Sequence, residues 1–327
     1  MKNLYLLQAK TLTPIKQILD EANAPVADIY EKALLPQAAL FDENITISWI
    51  PFRNLMAIIE RKYQVKDLGF ILIDKIGNTH LEQYLIFIQK HSSNLLDALE
   101  LFCDINTFTA NNNDLWIETD KAGHWFCYNP IEYNNIGNNV IEQYILASMI
   151  EVIQYLTQSS WTPKFIGLTR SDHHYSSNKY LKNAQLAYGQ PSTRILIDEQ
   201  VKELMQTGSK PQATSIAINN FAASMVEQLT KILQPYLYEY LPSIDDAVKI
   251  TGLSKRSLQR YLANEGMTYR KLIELIRFER SKSLLENSLL SVEMISKQLH
   301  YSNYHNFSRA FNRWAKMTPT KYRTPHL

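Results

Sequence analysis

The stretch SIDDAVKITGLSKRSLQRYL, Ser243 to Leu262, decides the reading of this chain. Ile244, Ala247, Val248 and Thr251 recur at the spacing that gathers side chains on one helix face. Gly252 follows as a residue free to adopt positive φ, a common way for a helix to end. Leu253 is placed to plug inward, and Ser254 is a preferred cap for a second helix carrying Leu258, Tyr261 and Leu262. Helix, tight turn, helix is the arrangement whose second member enters a DNA major groove. Its outward positions hold Lys255, Arg256, Gln259 and Arg260. Arginine reads guanine through a bidentate pair, glutamine reads adenine, and both also hold phosphates. A merely solvated helix face is the bland alternative, and the place on a recognition helix outweighs it.

The same plan returns further along. Val292, Ile295, Ser296 and Leu299 share a face, His300-Tyr301 turns the chain, and Ser302 precedes a helix expected over 303–313. There Phe307 and Phe311 point inward, while Tyr304, His305, Ser308 and Arg309 face out. Between the copies, a long helix over 269–287 carries Leu272, Leu275, Ile276, Leu284 and Leu285 on its apolar side. It would fix the spacing of two recognition helices, which about one DNA turn (~34 Å) apart enter successive major grooves from one face.

Charge distribution agrees. From residue 236 to 327 there are 15 Lys and Arg against 8 Asp and Glu, a net +7. The other 235 residues carry 19 basic and 24 acidic side chains, a net −5. A basic end on a mildly acidic body suits a protein that touches nucleic acid with one end.

The stretch from Ser243 to Arg323 resembles the DNA-binding domain of the AraC/XylS family of bacterial transcription regulators. The matching residues are Gly252-Leu253-Ser254, Leu258-Gln259-Arg260, Glu265-Gly266-Met267, Ile276-Arg277, Leu284-Leu285, the run Phe307 to Phe311, Trp314, Met317-Thr318-Pro319 and Tyr322-Arg323. The resemblance implies base contacts from Arg256, Gln259 and Arg260 in the first unit and from His305, Ser308 and Arg309 in the second. It also implies double-stranded promoter DNA and RNA polymerase as partners. Three positions depart from the family pattern: His300 and Lys316 stand where glycine is usual, and Ser296 where a buried alanine is usual.

The preceding residues read as a mixed α/β domain. Helices are expected after a Thr13 cap with Pro14, from Pro25 to Tyr30, over 52–61, after a Ser93 cap with Leu95, Leu96, Leu99 and Phe102, and over 140–157. Leu68 to Ile73 is an apolar run. Strands are expected at 115–117 and 125–128 around Gly123, at 165–168, and at 194–197, with a turn at Asn111 to Asn113. Leu68-Gly69-Phe70, Trp161-Thr162-Pro163 with the following 165–168 segment, and Ile195 to Asp198 before a helix ending near Met205 resemble the arabinose-binding-type domain of one branch of the family. That resemblance implies a small-molecule effector domain and a homodimer, with the effector unspecified. Gly, Pro and small polar residues between Thr207 and Thr214 mark a boundary. The expected division is an effector domain at 1–206, a linker at 207–219 and a helical DNA-binding domain at 220–327, whose first helix covers 221–233.

Trp116, Trp125 and Tyr128 are candidates to line an apolar ligand pocket, with plain core packing the competing reading. His173 and His174, beside Ser171 and Asp172, read as an exposed loop or as ligand contacts. His124 and Cys127, with Cys103, have a metal-like spacing, but residues three apart on a strand face oppositely and a structural zinc needs four ligands. With no phosphate loop or nucleophile elbow, no catalytic residue, metal or cofactor is expected, and the chain is not read as an enzyme. Two cysteines imply no disulfide framework, and no apolar run or leader at Met1 to Leu4 suggests a membrane or export, so a reducing cytoplasm is expected. The competing functional class is an architectural DNA binder with an N-terminal protein-interaction domain.

Overall fold

Local signals set most element ends in the structure, a computed structural model describing residues 4, 6–63, 65–77, 81–109, 114–129, 138–169, 179–205 and 224–323. Strand β1 (Leu6–Gln8) leads into helix α1 (Thr13–Glu21), with Pro14 in its first turn. The N-cap position falls on Leu12, because the Thr13 hydroxyl is turned away to donate to Glu43 Oε1 at 2.7 Å. Helix α2 (Val26–Lys32) follows Pro25, and strand β2 (Thr46–Ser48) pairs antiparallel with β1. Next come α3 (Trp49–Tyr63), α4 (Leu68–Ile76), α5 (Glu82–His91) and α6 (Leu95–Thr109). Asn94, rather than Ser93, caps α6: its Oδ1 accepts from Asp97 N at 3.0 Å.

Strands β3 (Asp114–Asp120) and β4 (Gly123–Asn129) form the expected hairpin, with Gly123 at φ +136°. Helix α7 (Asn138–Thr157), strands β5 (Phe165–Gly167), β6 (Gln185–Ala187) and β7 (Thr193–Ile197), and helix α8 (Glu199–Glu203) complete the N-terminal part. The sheet order is β3-β4-β7-β5-β6, antiparallel except for the β5–β6 pair. One sheet face, with Leu115, Phe126, Tyr128, Ile166, Ile195 and Ile197, joins the helices in a single core.

Helix α7 is buried on almost every side, as its sequence without a polar face requires. Gly69 explains why the apolar run beginning at Leu68 is a helix lying hard against it. A Cβ at Gly69 would stand 2.3 Å from Val140 O, so only glycine permits this approach, and Gly69 N donates to Gln143 Oε1 at 3.0 Å. Buried Glu142 accepts from the amide and hydroxyl of Thr169, each at 3.0 Å, and from the Thr193 hydroxyl. The central helix is thereby tied to the sheet through a satisfied carboxylate.

The C-terminal part is helical throughout. It comprises α9 (Met225–Leu233), α10 (Ile244–Thr251), α11 (Lys255–Asn264), α12 (Tyr269–Asn287), α13 (Val292–Gln298), α14 (Tyr304–Ala315) and α15 (Pro319–Arg323), with a 3-10 turn, Gln234–Tyr238, between α9 and α10. Helix α9 begins at Met225 because Ser224 and Glu227 form a capping box, and its expected start at 221 lies outside the described residues. The expected linker and the Asn111 to Asn113 turn lie outside them too. Leu4 belongs to the C-terminal core, with its amide donating to Gln228 Oε1 at 2.6 Å.

Candidate nucleic-acid interface

Each unit is built by caps and one left-handed residue. Ser243 and Asp246 form a capping box on α10, Gly252 ends it at φ +71°, and the Ser254 side chain accepts from Ser257 N to begin α11. Ala247, Ile250, Leu258, Tyr261 and Leu262 are buried beneath, and Val248 is half-buried, Ile250 taking the deeper position. Lys255, Arg256, Gln259 and Arg260 are all exposed on α11. Lys255 Nζ meets Asp245 Oδ1 at 3.1 Å, an exposed pair worth little and easily exchanged for a phosphate. The Arg260 guanidinium lies over Tyr261, 5.2 Å from the ring centre.

In the second unit Ser291 caps α13 and Asn303 caps α14, its Oδ1 accepting from Asn306 N at 2.9 Å. Phe307 and Phe311 are fully buried, as expected. His305 and Arg309 are exposed, and Tyr304 and Ser308 are half-buried on the same helix. Asn306 was not anticipated: its Oδ1 accepts from Arg309 Nη2 at 2.6 Å and its Nδ2 donates to Ser302 Oγ at 2.7 Å. The one available signal was its place three residues from both Asn303 and Arg309. Ser296 fits a buried position by donating its hydroxyl to Glu293 O at 2.8 Å. His300 and Lys316 do adopt the left-handed conformations that glycine usually supplies, φ +56° and +58°.

The long helix α12 has the ends its sequence predicts, with Leu272, Ile276, Leu284 and Leu285 buried; Leu275 is half-buried. Arg277 clamps the second turn. Its Nε and Nη2 donate to Leu299 O at 2.8 and 2.6 Å, Nη2 also reaches His300 O at 2.7 Å, and the guanidinium lies 3.7 Å from the Tyr301 ring centre. Burial, which disfavours the charged form, draws its pKa below the usual arginine value. Glu274 receives Arg270 at 3.4 Å and Arg313 at 3.0 Å. Between the units these side chains, with Tyr269 and Tyr301, line a cleft of about 510 Å³.

The N-terminal candidates divide. The β3–β4 register pairs Leu115 with Tyr128 and Trp116 with Cys127, so Tyr128 lies on the core face and Trp116 on the opposite one. Trp125 shares the face of Trp116, under the Arg194 guanidinium at 4.5 Å. The three aromatics therefore do not line one pocket. His124 Nδ1 is 2.9 Å from Thr119 Oγ1, and among the described residues no His, Cys, Asp and Glu group is arranged to hold a metal. Burial pushes the Cys103 and Cys127 thiols up to about 12, away from reactive thiolates. Ser171, Asp172, His173 and His174 lie outside the described residues. Among those described, no helix is long and apolar enough to cross a membrane.

Contacts join the two parts. Tyr236 donates from its hydroxyl to Leu34 O at 2.6 Å, and Glu239 Oε1 accepts from Gln37 N at 2.6 Å.

Residues 247–325 match the family described as "Helix-turn-helix domain". The HTH-type transcriptional regulator VqsM of Pseudomonas aeruginosa is 39% identical over 82 residues, 25% of either chain. The ornithine utilization regulator of the same organism is 30% identical over 82 residues, 25% of this chain and 24% of its own. The match thus spans about a quarter of the length of these curated relatives. The virulence regulon transcriptional activator VirF of Shigella flexneri is 24% identical over 207 residues, 61% of this chain and 74% of its own. The crystal structure of the transcriptional regulator CdpR from Pseudomonas aeruginosa aligns with 84% of this chain and 91% of its own, at TM-score 0.40 and 17% identity. The matched segment lies over the two capped helix-turn-helix units and the helix that links them, so residues 247–325 form a helix-turn-helix domain of the AraC/XylS type.

Proposed function

We propose that this chain is a sequence-specific DNA-binding transcription regulator that inserts α11 and α14 into the major groove of promoter DNA. The observation that carries the reading is the pair of units with outward Lys255, Arg256, Gln259 and Arg260 on one recognition helix and His305, Ser308 and Arg309, with Tyr304 at its edge, on the other. The basic balance of residues 236–327 supports it, since phosphate neutralisation supplies most nonspecific affinity.

The N-terminal part, with a core of its own and direct bonds to Tyr236 and Glu239 before α10, suits a domain that senses a small molecule and shifts the population of DNA-competent states. Pairing with a second copy and contact with RNA polymerase complete the reading, as does action in the cytoplasm. Trp116 and Trp125 remain candidates for the effector site, on the sheet face opposite the core.

Selection of bound duplexes from a random library, repeated with Arg256→Ala and Arg260→Ala, tests this. A recurrent motif weakened by about 1–3 kcal/mol per arginine, with its first half blurred, is the expected result. Binding with little preference among duplexes, barely altered by either substitution, points instead to an architectural protein. Repeating the selected-site affinity across candidate small molecules at matched salt tests the sensor role; equal values throughout would remove it.

A further inference from the structure

His300 holds φ +56°, a conformation strained for any residue with a side chain, in the turn of the second unit. A glycine would take it freely but has no side chain, and here the side chain is engaged. His300 Nε2 lies 2.9 Å from Leu237 O. A carbonyl oxygen only accepts, so the ring nitrogen carries the proton and donates. Leu237 belongs to the 3-10 turn Gln234–Tyr238 and to the core of the first unit, whereas Leu299, beside His300, belongs to the separate core of the second. The bond therefore crosses directly from one unit to the other, independently of the covalent path along α12. Arg277, one residue beyond Ile276 of the first core, holds the same turn through α12, the helix both units share, whereas His300 reaches the 3-10 turn directly. Arg280, 4.3 Å from the Tyr238 ring centre, brings the same 3-10 turn against the far half of α12.

We propose that His300 is a positioning residue, which sets the spacing and phase of the two recognition helices by docking the second turn onto the Gln234–Tyr238 turn of the first unit. The inference rests on the reading of α11 and α14 as DNA-contacting helices. A long helix bends gently when nothing braces it. A side-chain brace between the units makes the pair rigid, and a rigid pair tolerates only one separation of half-sites. Each inserted base pair moves the second half-site by about 3.4 Å and turns it by about a tenth of a helical turn.

The test uses the full chain and duplexes selected by the wild type. One or two base pairs are inserted or removed between the half-sites, and affinity is measured at constant salt for the wild type, His300→Gly and Lys316→Gly. Glycine suits the turn backbone, so His300→Gly keeps the turn and loses only the brace. Lys316→Gly is the matched control, a second left-handed residue replaced by glycine. The wild type and Lys316→Gly should lose about tenfold or more per spacing change, the scale of one lost base contact, and His300→Gly about threefold or less. A profile for His300→Gly as steep as the wild type's would overturn the proposal. So would weakened binding to every duplex together with a lowered melting midpoint, which marks a merely structural residue. A selected motif with a single half-site would sink the two-helix reading, and the spacing role with it. A two-part motif with unaltered spacing dependence would sink the spacing role alone.

Discussion

The two helix-turn-helix units share a plan but are stabilised differently. Among the described residues, the first sits on a core of fifteen buried residues that reaches from Leu4 and Met225 to Ile276, and its turn uses Gly252. The second has six among them, Leu284, Leu285, Ile295, Leu299, Phe307 and Phe311, and its turn uses His300. It compensates with aromatic contacts and polar ties. Phe311 meets Phe278, Phe307 and Tyr322 at centroid distances of 5.6, 5.8 and 5.4 Å, and Tyr322 donates to Glu286 Oε1 at 2.5 Å. A small core leaves less to lose before a unit opens locally, so the second unit should be the less independent of the two.

The sharpest test of that difference is a matched truncation. Phe307→Ala should cost about 3–5 kcal/mol and Leu258→Ala about 2–5 kcal/mol, both from fully buried positions. The consequences should differ more than the magnitudes. In amide hydrogen exchange, Phe307→Ala should strip protection from α14 while α11 keeps its own, and Leu258→Ala should lower both units together. Equal, global loss from Phe307→Ala would show that the second unit is no weaker a cooperative element.

Arg277→Ala comes next, at about 2–3 kcal/mol, because truncation leaves the Leu299 and His300 carbonyls without the charge-assisted donor that spans them. Urea unfolding of the variant would measure it, with Arg277→Lys recovering only part since an ammonium lacks the planar fork. Full recovery by lysine would mean that charge, not geometry, holds the turn.

What the sequence disclosed follows the same divide. Caps and left-handed residues are local, so the units and the ends of α12 could be read from a few neighbouring positions. Arg277 and His300 were visible as family match and family departure, but their partners lie 22 and 63 residues away, and no periodicity reports such pairings. The N-terminal part was harder for related reasons. Strands β1, β2 and β6 have three residues each, too few for an alternating pattern, and α5 was not anticipated. The apolar run from Leu68 fits helix or strand until Gly69 meets α7. The grouping of Trp116, Trp125 and Tyr128 failed on register, because one step along a strand moves a side chain to the other face.

The smallest effects concern the left-handed positions and bring the comparison down to single residues. Gly252→Ala should cost about 1 kcal/mol, since φ +71° is disfavoured once a Cβ is present. Lys316→Gly should do the reverse. Its φ of +58° is relieved by glycine, but glycine also loosens the unfolded chain, so the net gain is about 0.5 kcal/mol. Thermal unfolding of the three proteins orders them, with the wild type between. His300→Gly should fall close to the wild type, because the relief of strain is offset by loss of the bond to Leu237 O. If His300→Gly instead stabilises as Lys316→Gly does, that bond contributes nothing and the second turn differs from the first only in its strain.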